Sequence, residues 1–169
     1  MLELGKLKSV NVYFSGEAKN PGINLVHPFS DIFTAISQVG IKETGSLRNI
    51  ELIRNNEVYA KFDFYTFFMN GNNNFSNIRI LDGDIIHIPF VSKRVSIAGE
   101  IVRPTSYELV VTDSFLNLIE YAGGLNAAAS NKAIIKDITP LENRISDDIA
   151  RASFLVNISL SSNVILHNG

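Results

Sequence analysis

The chain has 169 residues, 46% of them hydrophobic, and a formal net charge of -2 from 15 basic and 17 acidic side chains. That apolar content supports a real core in one domain or two small ones, and the scattered Lys and Arg residues form no stripe suited to a phosphate backbone, so nucleic acid is not an expected partner. The lack of cysteine excludes disulfide frameworks, thiolate metal sites and thiol nucleophiles; no run reaches the ~18 consecutive apolar residues of a membrane span, and MLELGKLKSV has neither the basic start nor the apolar stretch of a signal peptide.

In chain order, VNVYFSG at 10–16 alternates Val10, Val12 and Phe14 against Asn11, Tyr13 and Ser15, the period-two pattern of a half-buried strand. Gly16 and Glu17 make a corner leading to Pro21, which fixes its own φ and withholds an amide, so the chain must turn or leave the ladder. INLV reads as a second strand. Ser30 is the expected N-cap of a helix whose Ile32, Ala35, Ile36 and Val39 form one apolar stripe and which Gly40 closes. NIELIR and VYAKF read as a hairpin around Asn-Asn-Glu, DFYTFFMNG as a short aromatic-rich helix, and FSNIRILDGDIIHIPF as two short strands around the turn Asp82-Gly83-Asp84.

The chain then repeats itself. A shift of 83 residues places Gly16 on Gly99, Glu17 on Glu100, Pro21 on Pro104, Ile36 on Ile119 and Gly40 on Gly123. The second copy supplies the strand RVSIAG, the corner, the strand SYELVV, the N-cap Asp113, the stripe Phe115, Leu118, Ile119 and Ala122, and the strands KAIIKD and ASFLVNI, separated by the polar stretch TPLENRISDDIAR. SNVILHNG at 162–169 echoes SNIRILDG at 76–83, but no counterpart of DIIHIP follows. The second copy is therefore expected to lack its last strand, and the chain to be a segment of a longer protein.

The combination of V-x-V-x-x-SGEAKNPG, SLRNIELIR, LDGDIIHIP, VSIAGEIVRPTSYEL and YAGGL resembles tandem soluble-ligand-binding β-grasp (SLBB) domains, in particular those of the bacterial outer-membrane polysaccharide export family, including its polysialic-acid type capsule transport members. The resemblance covers nearly the whole chain and departs at two turns: Thr105 stands where the family usually has glycine, and Ile41 where the second copy has Gly124. It implies an α+β fold of two tandem ubiquitin-like β-grasp domains, residues 1–92 and 93–169, the second truncated before its last strand. It also implies a non-enzymatic module on the periplasmic side of the outer membrane, part of a capsule or exopolysaccharide export channel. Such a module assembles as a homo-oligomeric ring, touches the polysaccharide weakly, works with an inner-membrane copolymerase and needs no cofactor. The alternative is a β-grasp module that captures a small soluble ligand such as a cobalamin-like cofactor; a polysaccharide hydrolase or electron-transfer subunit is a distant third.

The candidate residues divide by chemistry. Glu17 and Glu100 each follow a glycine at a strand-to-turn corner, where a carboxylate accepts backbone amides; a glycosidase would need two carboxylates roughly 5–9.5 Å apart across one sugar, which residues of separate repeats have no reason to meet. Asp82-Gly83-Asp84 lacks the later ligands of a calcium loop, and His27, His87 and His167 have no metal-ligand spacing, so no metal is expected. Phe62, Phe64, Tyr65, Phe67 and Phe68 are too many for one inward face, so Tyr65 or Phe68 is expected exposed at a subunit or domain contact. Asn20, Arg48, Asn49, Arg54, Arg103 and Tyr107 complete the expected saccharide or neighbour contacts.

Overall fold

The computed structural model describes residues 8–73, 75, 77–138, 151–160 and 166, and the chain divides into two units, Met1–Val91 and Ser92–Gly169. In the first unit the period-two pattern decides which side of each strand is buried. Along β1 (Val10–Gly16), Val12 and Phe14 are buried while Asn11 and Tyr13 face out. The other strands are β2 (Gly22–Val26), β3 (Ile50–Arg54), β4 (Glu57–Phe62) and β5 (Ile85–Ile88), and they form one sheet in the order β2-β1-β5-β3-β4. β5 runs parallel to β1 and antiparallel to β3, so the last strand of the unit lies at its centre.

Helix α1 (Ile32–Val39) buries Ile32, Ala35, Ile36 and Val39, the expected stripe, and these join Val12, Phe14, Ile50, Leu52, Ile86 and Ile88 in one core. Its N-cap is Asp31, whose carboxylate accepts from the Thr34 amide at 2.7 Å. In the second unit α3 (Phe115–Tyr121) is capped by Ser114, which forms a capping box with Asn117. The expected caps Ser30 and Asp113 are each one residue early for a shared reason. Both close a preceding turn, their amides donating to His27 O at 2.9 Å and Val110 O at 3.0 Å.

The β3–β4 hairpin turns on Asn55 and Asn56, with φ of 54° and 64°, the paired left-handed conformation that matches strand twist in a two-residue loop. α2 (Tyr65–Asn70) follows. Of the two strands expected around Asp82-Gly83-Asp84 only β5 forms; residues 77–81 are not a strand. The Arg79 carbonyl accepts from Arg54 and the Leu81 amide donates to Asp84, so side chains occupy groups that a strand ladder would use.

The second unit contains β6 (Arg94–Ser96) paired with β7 (Ser106–Glu108), α3, and β8 (Lys132–Ile138) paired with β9 (Arg151–Asn157). Among the described residues these are two separate two-stranded sheets. The mixed α+β class expected from the sequence is what the chain adopts. Most of the stretch from 139 to 151 and of the 162–169 echo lies outside the described residues.

Gly16 is the most constrained point of the first unit: its φ is +74°, and an added Cβ would stand 2.1 Å from Ile88 O. Gly22 also has positive φ, +101°, but nothing lies within 4 Å of its would-be Cβ. Gly16→Ala is therefore expected to cost clearly more in urea unfolding than Gly22→Ala, whose penalty is limited to backbone strain of about 1–3 kcal/mol; equal costs would contradict the close approach of β1 to β5.

Candidate functional site

The repeated Gly-Glu corner is built the same way in both units. In the first, Lys19 N donates to Gly40 O at 2.9 Å and Lys42 N to Glu17 O at 2.9 Å, around an isolated bridge between Ala18 and Ile41. In the second, Val102 N donates to Gly124 O at 3.1 Å and Asn126 N to Glu100 O at 3.1 Å, around a bridge between Ile101 and Leu125. The corner thus clips the end of the first strand to the residues just after the helix. The bonds also fix the alignment: Gly40 corresponds to Gly124, not Gly123, and Ile41 to Leu125, so a one-residue insertion follows the second helix.

The two glutamates have different surroundings. Glu17 is buried; its carboxylate accepts a short hydrogen bond from Thr44 Oγ1, Lys42 Nζ stands 3.9 Å away, and its amide donates to Ile88 O at 2.7 Å. Glu100 is exposed, and Ala128 and Asn126 stand at the positions of Thr44 and Lys42. Asn20 and Arg103, equivalent in the repeat, both serve the end of their helix: Asn20 Nδ2 donates to Val39 O at 3.2 Å and the Arg103 guanidinium to Tyr121 O at 2.9 Å. Tyr107 is buried and its hydroxyl donates to Arg103 O at 2.9 Å, tying the turn to β7.

The candidate arginines Arg48 and Arg54 are engaged in ion pairs. Arg48, buried, grips Asp63 with its Nε and a terminal nitrogen, the shortest contact 2.8 Å, and lies 4.7 Å from the Tyr65 ring centroid. Arg54 forms a two-point pair with the fully buried Asp84, both contacts 2.8 Å, stacks on Tyr59 at 4.3 Å and donates to Arg79 O. The hydrogen bond to Asp84 raises the Arg54 pKa above its already high ordinary value, against the opposing effect of burial. Asp84 also accepts from the Leu81 amide at 2.8 Å, which makes the Asp-Gly-Asp turn the anchor of β5.

Tyr65, expected as a candidate for exposure, is buried beneath Arg48, whereas Phe68 is 52% exposed. Phe68 sits at the rim of an aromatic cluster centred on Phe33, which stacks on Phe75 at 5.6 Å and meets Phe64 edge-on at 5.4 Å. Asn49 is exposed, its amide donating to Ser46 Oγ at 3.0 Å. The structure spreads the candidates over several places and does not bring Glu17, Arg48, Arg54 and Tyr65 into one cleft. Sequence reading missed Thr44, Asp63 and Asp84 as the partners of Glu17, Arg48 and Arg54; only Asp84 had a signal, its place one residue before a strand.

On the side of the first sheet away from α1, strand pairing aligns a row Ile23, Tyr13, Ile85, Ile53 and Val58 across all five strands, and beside it a polar row Ser15, His87, Glu51 and Lys61. Ser15 Oγ and His87 Nδ1 are 2.9 Å apart, and Lys61 pairs with Glu51 at 2.7 Å. The row is apolar yet partly open, with Ile23 62%, Tyr13 43% and Val58 49% exposed. Among the described residues no three His, Cys, Asp or Glu side chains converge as metal ligands, and no helix is long and apolar enough to cross a membrane.

Fold and corner together define a small α+β unit whose first hairpin is clipped to the end of its helix. Residues 94–135, from β6 through α3 into β8, match the family model of the SLBB domain, so the chain carries an SLBB domain there. Among curated proteins nothing matches the chain.

Taking the cation away from the buried Asp84 carboxylate is expected to cost about 3–5 kcal/mol. In urea unfolding, Arg54→Met alone, which leaves that carboxylate buried without its partner, should therefore destabilise the first unit more than Arg54→Met combined with Asp84→Leu, which leaves no buried charge behind.

Proposed function

We propose that the chain is a non-enzymatic pair of tandem β-grasp domains from a capsule or exopolysaccharide export channel, working on the periplasmic side of the outer membrane. The observation that carries this reading is the repeated corner: one copy lies within the SLBB match and the other, in the first unit, repeats its hydrogen bonds. The first unit's strand order, with a parallel central pair and one helix across the sheet, supports the β-grasp assignment for both copies.

The mechanism is passive. The apolar row across the first sheet, flanked by hydrogen-bonding side chains, is suited to packing against a neighbouring copy in a ring, since such a mixed face resembles the core and rim of a protein interface. The polysaccharide meets exposed polar groups such as Asn20, Asn49, Glu100 and Arg103. Each contact is weak, because a tight site would stall a moving polymer. An inner-membrane copolymerase delivers the chain to the ring.

One observation favours the second reading, capture of a small soluble ligand: the second unit contains a cleft of about 530 Å³, within the usual range of small-molecule sites. Saturation-transfer NMR and calorimetry with capsule oligosaccharides, compared with cobalamin, separate the two. The export reading predicts oligosaccharide contacts with Kd weaker than about 1 mM and no cobalamin binding; micromolar binding of cobalamin, or no oligosaccharide contact at all, would contradict it.

A further inference from the structure

We propose that Phe29, Arg79 and His27 form a surface subsite for a carboxylate-bearing sugar, so that the polymer this chain meets is acidic. This rests on the export reading and adds the charge of the polymer to it.

The first unit shows twice how an arginine laid over an aromatic ring is completed. Arg48 lies 4.7 Å from the Tyr65 ring centroid and grips Asp63; Arg54 lies 4.3 Å from that of Tyr59 and grips Asp84. Arg79 repeats the first half of this arrangement, its guanidinium carbon standing over Phe29 at 5.6 Å from the ring centroid. The second half is missing: among the described residues no carboxylate lies within ion-pair distance of Arg79. The carboxylates closest in sequence are engaged elsewhere. Asp31 accepts from the Thr34 amide at 2.7 Å, and Asp82 accepts from the backbone and side-chain nitrogens of Asn11 at 2.8 and 3.0 Å. A carboxylate brought by a ligand completes the set as Asp63 and Asp84 complete the other two.

Backbone fastens both sides of the subsite. The turn into α1 is closed by the Ser30 amide on His27 O at 2.9 Å, and Phe29, third in that turn, is left 67% exposed. Arg79 is exposed as well, but its carbonyl accepts from Arg54 at 2.9 Å and the next residue, Ile80, is buried. Little ordering is therefore required on binding. His27 is exposed; its ring lies 5.7 Å from that of Phe29, and its Nδ1 accepts from the Phe29 amide at 3.4 Å, which leaves Nε2 as an N–H donor.

An open aromatic ring, a guanidinium and an N–H donor match the C–H face, carboxylate and hydroxyl of an acidic sugar. A neutral sugar leaves the guanidinium without a partner, and a phosphate backbone calls for a row of cations instead of one. A single exposed ion pair beside one ring is a weak contact, as a moving polymer requires.

The test is an NMR titration of the full 169-residue chain with tetragalacturonate and with its carboxyl-reduced counterpart, tetragalactose, read at the Phe29 ring and the Arg79 side chain. It is repeated with Arg79→Gln and Phe29→Ala, which alter exposed side chains and should leave Tm unchanged. The subsite predicts that tetragalacturonate shifts both signals with a Kd weaker than about 1 mM. The carboxyl-reduced tetramer should bind at least about threefold more weakly, and Arg79→Gln or salt at about 0.5 M should abolish that difference. Phe29→Ala should weaken both tetramers at least about twofold. Equal binding of the two tetramers, a preference that survives Arg79→Gln, or a tighter response of the same signals to tetraglutamate would overturn the subsite and leave the export reading standing. Absence of any response to tetragalacturonate also overturns the subsite; the export reading falls only if capsule oligosaccharides contact no part of the chain.

Discussion

The first unit depends on the placement of β5 between two hairpins that do not otherwise pair. An isolated two-stranded hairpin is marginal in water, and here β1–β2 and β3–β4 become one sheet only through Ile85–Ile88. Each end of that strand is fastened separately. At its head, Asp84 holds Arg54 from the end of β3 and gives its carbonyl to Tyr13; at its foot, Ile88 O receives the Glu17 amide and Pro89 O the Ser46 amide at 2.8 Å. Ile86 and Ile88 are both fully buried, and each contributes roughly 1.5–3 kcal/mol of burial. The Gly16 conformation and the burial of Glu17 follow from how closely β1 and the corner approach that strand.

The second unit separates what the corner does from what the central strand does. Its hairpin, helix and clip between Glu100 and Asn126 are present, and among the described residues no strand joins β6 to β8. The corner is thus a local device that positions a hairpin against the end of a helix. Glu17 is enclosed by Thr44 and Lys42, whereas Glu100 is open, with Ala128 in place of Thr44. The same backbone corner therefore presents a buried anchor in one copy and an exposed carboxylate at the surface in the other.

Much of this was legible in the sequence because it is periodic. The alternation of Val12 and Phe14 against Tyr13, and the stripe Ile32, Ala35, Ile36 and Val39, identify buried faces without tertiary information. The helix caps were misplaced by one residue because Ser-Asp and Asp-Ser offer two capping side chains in a row, and only the preceding turn selects the second. The ion pairs were not legible: Arg48 lies 15 residues from Asp63 and Arg54 30 from Asp84, and only the open end of the β3–β4 hairpin and the pairing of β5 with β3 bring them together. For that reason arginines read as ligand contacts turn out to be fastened into the fold.

The passive channel role proposed above draws on two of these features: polar groups spread over the surface, and one partly open apolar row across the first sheet. The central claim beneath that role is structural: β5 completes the sheet of the first unit and protects the outward amides of β1, whereas among the described residues the hairpin β6–β7 pairs with no further strand. Residue-resolved amide exchange on the intact chain tests it most directly. The account predicts that Tyr13 and Phe14 both exchange slowly, whereas Ser96 exchanges at least about 100-fold faster than its neighbour Ile97, the difference between an amide facing the cleft and one bonded to Thr105. Equal protection of Ser96 and Ile97 would contradict it.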